Sequence, residues 1–169
     1  MVRRAHQRAE QGLGPLHVLH RKDHRLDALR LRECHADHGI DHVGVIVDDL
    51  AQAKSFLADM GLRFDRDLVI PGRLRAAFYA CGDTQIEVIQ VDEPEERSRR
   101  LGDETARVEH IAFEVDSLSA TMEALRGLGV RTTTPDPMAV GANLNYWTAP
   151  ESCDGVQYQL IEKGAAPQA

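Results

Sequence analysis

The hydrophobic and polar positions of the chain repeat once, with equivalent residues 68 positions apart. The stretch DHVGVIVDDLAQAKSFLADMGLRF, which begins at Asp41, aligns without a gap on EHIAFEVDSLSATMEALRGLGVRT, which begins at Glu109. Each copy first alternates apolar and polar residues like a half-buried strand and then changes to the spacing of an amphipathic helix. The pattern therefore predicts two copies of one βα unit, arranged as an internal duplication.

The helix of each copy has recognisable ends. Asp48 and Asp116 occupy the predicted N-cap positions, where a side-chain oxygen can accept a hydrogen bond from the first turn. Gly61 and Gly129 follow the last apolar position, where glycine ends a helix in the left-handed conformation. These ends predict helices over about residues 49–60 and 117–128.

A second match places a strand, a turn and a strand near the end of each copy. CGDTQIE from Cys81 corresponds to CDGVQYQ from Cys153, and the Asp/Gly dipeptide in each is typical of a hairpin turn. Each copy thus reads as β, α, β, β, β, which predicts an α+β protein. Its parts are an N-terminal extension at 1–38, module one at 39–91, a linker at 92–107 with room for one helical turn, module two at 108–163 and a tail at 164–169.

Residues 1–38 differ from the rest in composition, with eight bases, five acids and six of the eight histidines. Such a segment is typical of an arm that binds a metal or a polyanion, or of a flexible or partly helical extension, and an upstream start codon would also produce it. We interpret it as an extension, either flexible or with one short helix at 22–34, and assign it no chemistry.

Charge and composition limit the kind of partner. A formal net charge of −7 argues against duplex nucleic acid and anionic membranes, because both require a basic face. No apolar run reaches the roughly 18 residues of a membrane span, and the N-terminus lacks the apolar core of a secretory signal. The three cysteines, Cys34, Cys81 and Cys153, form no CxxC pair. We therefore expect a soluble cytoplasmic protein with a small-molecule partner.

Strand alternation brings four polar residues to one face of the predicted sheet. His42 and His110 point away from the helices in the first strands, and Glu87 and Gln159 do so in the last strands. A pseudo-two-fold relation between the modules would bring all four around one point. Two imidazoles, a carboxylate and an amide oxygen form a donor set for one divalent ion, which could be Zn, Ni, Co, Mn or Fe.

Between Ile40 and Lys163 the chain resembles the vicinal oxygen chelate superfamily of glyoxalases, bleomycin resistance proteins and dioxygenases. It is most similar to the glyoxalase and methylmalonyl-CoA epimerase branch, through DHVGVIVDDL, GDTQIEVI, EHIAFEVDSL and DGVQYQLIE in the correct order. The resemblance implies a cup-shaped mixed sheet, and relatives commonly form homodimers. It also implies that one residue from the first and one from the last strand of each module hold the metal: His42, Glu87, His110 and Gln159.

The sequence departs from the epimerase pattern in two places. Epimerases and glyoxalases usually carry a glutamate where this chain has Gln159, and Glu162 cannot replace it because its parity sends it to the helix side. A second acid that epimerases often place before the third strand falls near Pro71. Glu87 is then the one ligand carboxylate that could act as the catalytic base, since an amide takes no proton at neutral pH.

The donor set and the resemblance together predict a metal-dependent lyase or isomerase that acts on a small carbonyl or thioester substrate through a metal-stabilised enolate. The alternatives are a non-haem Fe(II) dioxygenase, whose facial triad uses the same donors, and a metal-free small-molecule binding protein. We predict that Phe78, Asn145 and Trp147, on the third strands, bind the substrate. Other residues considered for this surface are Asn143, Tyr146 and the arginines Arg73, Arg75 and Arg131.

Overall fold

The computed structural model describes residues 39–165, and within them the elements follow the order β, α, β, β, β twice. The strands are β1 (Ile40–Val47), β2 (Arg63–Ile70), β3 (Leu74–Cys81), β4 (Thr84–Val91), β5 (Ala106–Glu114), β6 (Met138–Val140), β7 (Asn143–Trp147) and β8 (Gln157–Glu162). The helices are α1 (Leu50–Asp59), α2 (Pro94–Leu101) and α3 (Leu118–Gly127), with a 3₁₀ turn at Pro150–Ser152. The predicted extension at 1–38, with its short helix and Cys34, lies outside the described residues.

The eight strands form one mixed sheet in the order β2-β3-β4-β1-β5-β8-β7-β6. In each module the first strand pairs in parallel with the last, and the two modules join through the antiparallel pair β1 and β5. The strand order on one side of this β1–β5 seam repeats on the other side, as a pseudo-two-fold relation requires. The sheet curls into a half-barrel, which confirms the predicted α+β fold of two βαβββ modules around a cup.

Helices α1 and α3 cover the outer face of the sheet, each above an apolar cluster of its own module. In module one Leu50 of α1 packs with Val47 and Val88, and in module two Met122 of α3 packs with Val115 and Leu160. Burial of one such side chain stabilises the fold by about 1.5–3 kcal/mol. Because these clusters use the alternate residues that face the helices, the other residues of the same strands, both polar and apolar, line the inner face of the half-barrel.

The N-caps of α1 and α3 lie one residue later than predicted. Asp49 and Ser117 each accept a hydrogen bond from the backbone N–H three residues on, at 3.0 and 3.3 Å. The prediction of Asp48 and Asp116 as caps was wrong because the next residue in each copy also has a capping side chain and stands at the correct spacing. Asp48 instead forms an ion pair with Arg97 of α2, at 3.0 Å.

A residue of each last strand also fixes the start of a helix. The N–H of Leu118 donates to Glu162 Oε2 at 2.7 Å, and the N–H of Leu50 donates to Gln90 Oε1 at 3.1 Å. Glu162 therefore lies on the helix side of the sheet, as its parity predicts. A carboxylate at this point also complements the positive end of the α3 dipole.

The connections differ between the modules. The turn at Gly82–Asp83 joins β3 directly to β4, as predicted, whereas residues 148–156 separate β7 from β8. The second strand of module two shrinks to β6, which has 3 residues. Pro135 and Pro137 precede it, and proline cannot donate to a strand ladder. The edge strand of module two is therefore shorter than that of module one.

The linker between the modules contains more helix than one turn. Helix α2 has 8 residues, starts with Pro94 and ends at Leu101, and Gly102 is its C-cap. Its first and last turns carry Glu95 and Arg99, whose charges suit the helix dipole. Leu101 packs against the sheet.

Within residues 39–165, no helix is long and apolar enough to cross a membrane. Strands β2 and β6 form the two edges of the sheet. The homodimer implied by the resemblance stays a prediction.

Candidate metal centre

The first and last strands of each module carry the four predicted donors at equivalent positions. Glu87 pairs with Gly44 across β1 and β4, and Gln159 pairs with Ala112 across β5 and β8. Each of them therefore lies two positions beyond the histidine of its own module. All four donors are buried, with exposed fractions of 4% for the two histidines and 7% for Glu87 and Gln159.

Three of these donors converge on one point. His42 Nε2 lies 3.2 Å from His110 Nε2 and 3.2 Å from Glu87 Oε2, and His110 Nε2 lies 3.5 Å from the same oxygen. Nitrogen and oxygen ligands at about 2.0–2.2 Å from one tetrahedral ion lie roughly 3.3–3.6 Å from each other. The spacing of the three atoms therefore fits a single divalent ion.

Asp41 fixes the orientation of the first imidazole. Its Oδ1 atom lies 2.7 Å from His42 Nδ1, so this nitrogen donates its proton to Asp41 and the Nε2 lone pair faces the cluster. Lone pairs of two imidazoles and a carboxylate that face each other in a buried site repel unless a cation lies among them. A proton or a metal ion can supply that charge.

In the metal-free protein, protons on the histidines supply this positive charge. Burial lowers the pKa of His42, but the carboxylates of Asp41 and Glu87 outweigh burial and raise this pKa to about 9. The pKa of His110 is also raised against burial, by Glu109 and Glu87. Burial would raise the pKa of Glu87, yet the two imidazoles hold it below its usual value. The two imidazoles therefore favour the ionised form of Glu87.

An outer layer of acids and cations supports the histidines. Asp41 binds Lys163 at 2.9 Å, and together with His42 this cation lowers the pKa of Asp41 to about 2. Glu109 accepts two hydrogen bonds from Arg100, at 2.7 and 2.5 Å. Glu109 Oε2 lies 3.6 Å from Nδ1 of the neighbouring imidazole, too far for a hydrogen bond, so the support is weaker in module two.

The sequence reasoning missed this outer layer, although the repeat contains a signal for it. An acid precedes the histidine in both copies, as Asp41-His42 and Glu109-His110. Adjacent residues of a strand usually point to opposite faces, so alternation alone assigns the acid to the wrong side of the sheet.

Gly44 leaves the space that His110 occupies. These residues face each other across the seam, and a Cβ atom on Gly44 would lie only 2.2 Å from His110 Cε1. The equivalent position in module two is Ala112, which lies opposite His42 and is fully buried. The seam therefore accepts a methyl group on one side of the pseudo-two-fold axis and not on the other.

We expect Gly44→Ala to displace the His110 ring and to lower the affinity for a divalent ion by about 10- to 100-fold, the usual effect of disturbing a ligand's support. Isothermal titration with Zn²⁺ measures the change. Ala112→Gly is the matched control at the equivalent position, and we expect it to leave the affinity unchanged. Equal affinity of Gly44→Ala and the wild type would show that the His110 ring need not lie where it does.

The three residues predicted to bind substrate lie beside the donors. Phe78 faces Glu87 in register and Trp147 faces Gln159, so the two aromatic residues line the inner face at equivalent places. Asn145 Oδ1 accepts a hydrogen bond from Gln159 Nε2 at 2.9 Å. Within residues 39–165, Gln159 Oε1, the amide atom that could bind a metal, has no hydrogen-bond partner. Their contact with substrate stays a prediction.

The other residues considered for the surface lie elsewhere. Tyr146 packs on the outer face under α3. Arg75 and Arg131 form ion pairs with neighbouring acids, at 3.1 and 3.0 Å. Arg73 lies in the turn between β2 and β3, with its Nη1 atom 3.8 Å from Met138 Sδ, and Asn143 Oδ1 accepts a hydrogen bond from the Gly164 N–H after β8.

Comparisons with known proteins agree with this architecture. Residues 41–147 match the family model of the glyoxalase/bleomycin resistance protein/dioxygenase superfamily. No curated protein sequence matches the chain significantly. A methylmalonyl-CoA epimerase from Mycobacterium tuberculosis is 25% identical with a TM-score of 0.68, over 81% of this chain and 96% of that one.

Two further solved structures share the fold. A variant of Streptomyces coelicolor methylmalonyl-CoA epimerase, in complex with 2-nitronate-propionyl-CoA, is 23% identical with a TM-score of 0.65, over 75% of this chain and 97% of that one. A hypothetical protein from Bacillus halodurans is 21% identical with a TM-score of 0.67, over 79% and 99% of the two chains.

Proposed function

The chain belongs to the glyoxalase/bleomycin resistance protein/dioxygenase superfamily, and from this premise we propose that it is a metal-dependent isomerase or lyase. In this proposal the protein moves a proton at the carbon next to the carbonyl of a small carbonyl or thioester substrate. The observation that carries the proposal is the buried cluster of His42, Glu87 and His110, whose donor atoms all lie within 4.8 Å of one another.

The roles of the residues follow from their chemistry. His42, His110 and Glu87 would hold one divalent ion, with Gln159 Oε1 as the available fourth donor. When bound, the ion would act as a Lewis acid toward the substrate's carbonyl oxygen and stabilise the negative charge of the enolate. Asp41 orients the His42 imidazole so that its Nε2 atom is directed into the cluster.

Glu87 is the residue we propose as the base. Within residues 39–165, its second oxygen, Oε1, has no hydrogen-bond partner, so this oxygen can accept a proton. Gln159 cannot act as the base, because an amide is not basic at neutral pH. Pro71, near which epimerases often place a further acid, offers no carboxylate. The proposal therefore assigns proton transfer to a single side chain.

The first experiment measures metal and proton transfer on the same sample. Protein is purified without chelator, freed of any tag and tested for metal per chain, and proton exchange with D₂O is followed by NMR. The probes are methylmalonyl-CoA and a thiol hemithioacetal, which are a thioester and a thiol adduct. We expect one ion per chain and a rate that falls at least about 100-fold when the ion is removed. Full exchange without metal would contradict the proposal.

Metal affinity should depend on pH because imidazole must lose its proton to bind a metal. The raised pKa of His42, about 9, means that protons compete with the ion throughout the neutral range. We expect the apparent affinity to rise from about pH 6 toward pH 9, by about tenfold per pH unit for each proton released, and then to level off.

Competition with a chelator of known affinity measures this curve. Asp41→Asn is the matched variant, since it removes a carboxylate that raises the pKa of His42. We expect its curve to level off at a lower pH. An affinity independent of pH between about 6 and 9 would exclude both histidines as ligands.

The donor set also supports a second candidate, a non-haem Fe(II) dioxygenase. Two histidines and one carboxylate with open positions are the ligands of the facial triad in such enzymes. Oxygen consumption by the Fe(II)-loaded protein with a catechol or a 2-oxo acid tests this candidate. Consumption of oxygen without proton exchange would favour it over the isomerase or lyase.

A further inference from the structure

The edge strand of module one, β2, places an arginine on the inner face of the half-barrel. A register shift in β2 lies between Phe64, which pairs with Tyr79, and Arg66, which pairs with Phe78. Phe64 contacts Tyr79 on the helix side, with ring centroids 5.7 Å apart. Regular alternation would send Arg66 to that same side. The shift instead turns Arg66 inward, and such bulges are common where a strand redirects a side chain beside an active site.

Arg66 lies in the same cross-strand row as the candidate metal donors. Arg66 pairs with Phe78, Phe78 with Glu87, Glu87 with Gly44, and Gly44 with His110. The guanidinium carbon is 3.9 Å from the centroid of the Phe78 ring. That ring meets the His42 imidazole edge to face, with centroids 5.6 Å apart. One aromatic ring therefore separates the arginine from the candidate metal centre.

Neighbouring side chains bind the Arg66 guanidinium through one of its nitrogen atoms. Its Nη1 atom donates to Asp65 Oδ2 at 2.6 Å and to Gln85 Oε1 at 3.1 Å, and Gln85 Nε2 donates to the same Asp65 oxygen at 2.9 Å. Within residues 39–165, Nε and Nη2 have no hydrogen-bond acceptor. Side-chain exposure of 51% leaves these donors open to a ligand.

Module two offers no such cation at the equivalent place within the described residues. The counterpart of Phe78 is Trp147, and its backbone carbonyl accepts a hydrogen bond from the Thr133 N–H. The pairing of β6 with β7 ends at Asn145, two residues before Trp147. At this pair of equivalent positions, module one therefore has a cation next to Glu87, and module two has none among the described residues. This asymmetry would orient a ligand that has a negative group at one end.

We propose that Arg66 binds the anionic end of the substrate and selects carbonyl or thioester compounds that carry a free carboxylate. The inference rests on the proposed function for the identity of the reacting carbonyl group. A planar guanidinium with two open donors matches a carboxylate in a bidentate geometry, which a lysine ammonium does not reproduce. Stacking on Phe78 keeps the guanidinium plane fixed before the ligand arrives.

The test compares two probes that differ in one charge. Malonamate has one carboxylate and one amide carbonyl, and malonamide has a second amide in place of the carboxylate. Both are titrated by calorimetry into metal-loaded wild type, Arg66→Gln, Arg66→Lys and the control Arg75→Gln, which removes an equal charge paired with Asp92 outside the site. Metal content and thermal stability are measured for every variant.

We expect the wild type and Arg75→Gln to prefer malonamate over malonamide by about tenfold or more, Arg66→Gln to show no preference, and Arg66→Lys to keep part of it. An unchanged preference in Arg66→Gln, an equal loss in Arg75→Gln, or no preference in the wild type would each overturn the inference. The same ratio measured on metal-stripped protein separates the two proposals. If the probes bind the metal-stripped protein as tightly as the metal-loaded protein, the metal-dependent function is contradicted. The ratio of the two affinities alone decides the role of Arg66.

Discussion

Glu87→Gln is expected to lower the rate of proton exchange by about 1,000-fold, measured at saturating metal so that reduced metal binding does not enter the rate. Glutamine keeps an oxygen ligand at the same place but cannot accept a proton. The exchange of substrate deuterium followed by NMR, on whichever probe the wild type turns over, gives the rate. Full exchange in this variant would remove Glu87 from the mechanism.

The chain offers a matched control and a rescue for this variant. Glu162→Gln makes the same chemical change on the outer face, where the carboxylate binds the start of α3, and we expect normal exchange from it. The double variant Glu87→Gln/Gln159→Glu moves the carboxylate to the equivalent position in module two. We expect it to bind metal more tightly than Glu87→Gln, because it restores a set of two imidazoles, one carboxylate and one amide. Weaker binding would mean that the two positions are not equivalent toward the ion.

The second large effect is expected from His42→Ala/His110→Ala. Removal of two of three close donors should lower the affinity for a divalent ion by about 10,000-fold or more, since each ligand of a tightly bound ion contributes several kcal/mol. Metal analysis after gel filtration and Zn²⁺ titration measure the loss. Added Zn²⁺ should raise the melting temperature of the wild type and not that of the variant.

This double variant carries its own control, because six of the eight histidines lie in residues 1–38 and remain unchanged. Any ion that these histidines hold stays with the variant and can be subtracted. If the variant keeps one ion per chain at wild-type affinity, the ion is not bound by the cluster and the metal-dependent function fails.

The candidate metal centre could be predicted from the sequence because two simple regularities determine it. Alternation along a strand assigns His42 and Glu87 to the face opposite the helix, and the repeat carries the same assignment to His110 and Gln159. The pairing of β1 with β5 then brings the two halves together. None of these steps requires knowledge of side-chain contacts.

Features that break these regularities could not be predicted in the same way. Arg66 reaches the inner face because of a register shift in β2, and one sequence does not reveal where a strand inserts a residue. Asp41 binds the imidazole of the next residue although strand neighbours normally diverge. The shortening of β6 follows Pro135 and Pro137, which the repeat alignment ignores because it ends before them.

The β1–β5 seam has a consequence for the folding of the chain as a whole. Because the close donors come from both modules, a bound ion stabilises only the state in which the halves are joined. An ion at 100 times its dissociation constant adds about 2.7 kcal/mol to the free energy of unfolding. Metal loading should therefore make the two duplicated halves unfold together, and metal depletion should weaken their cooperativity before it affects either helix-covered core.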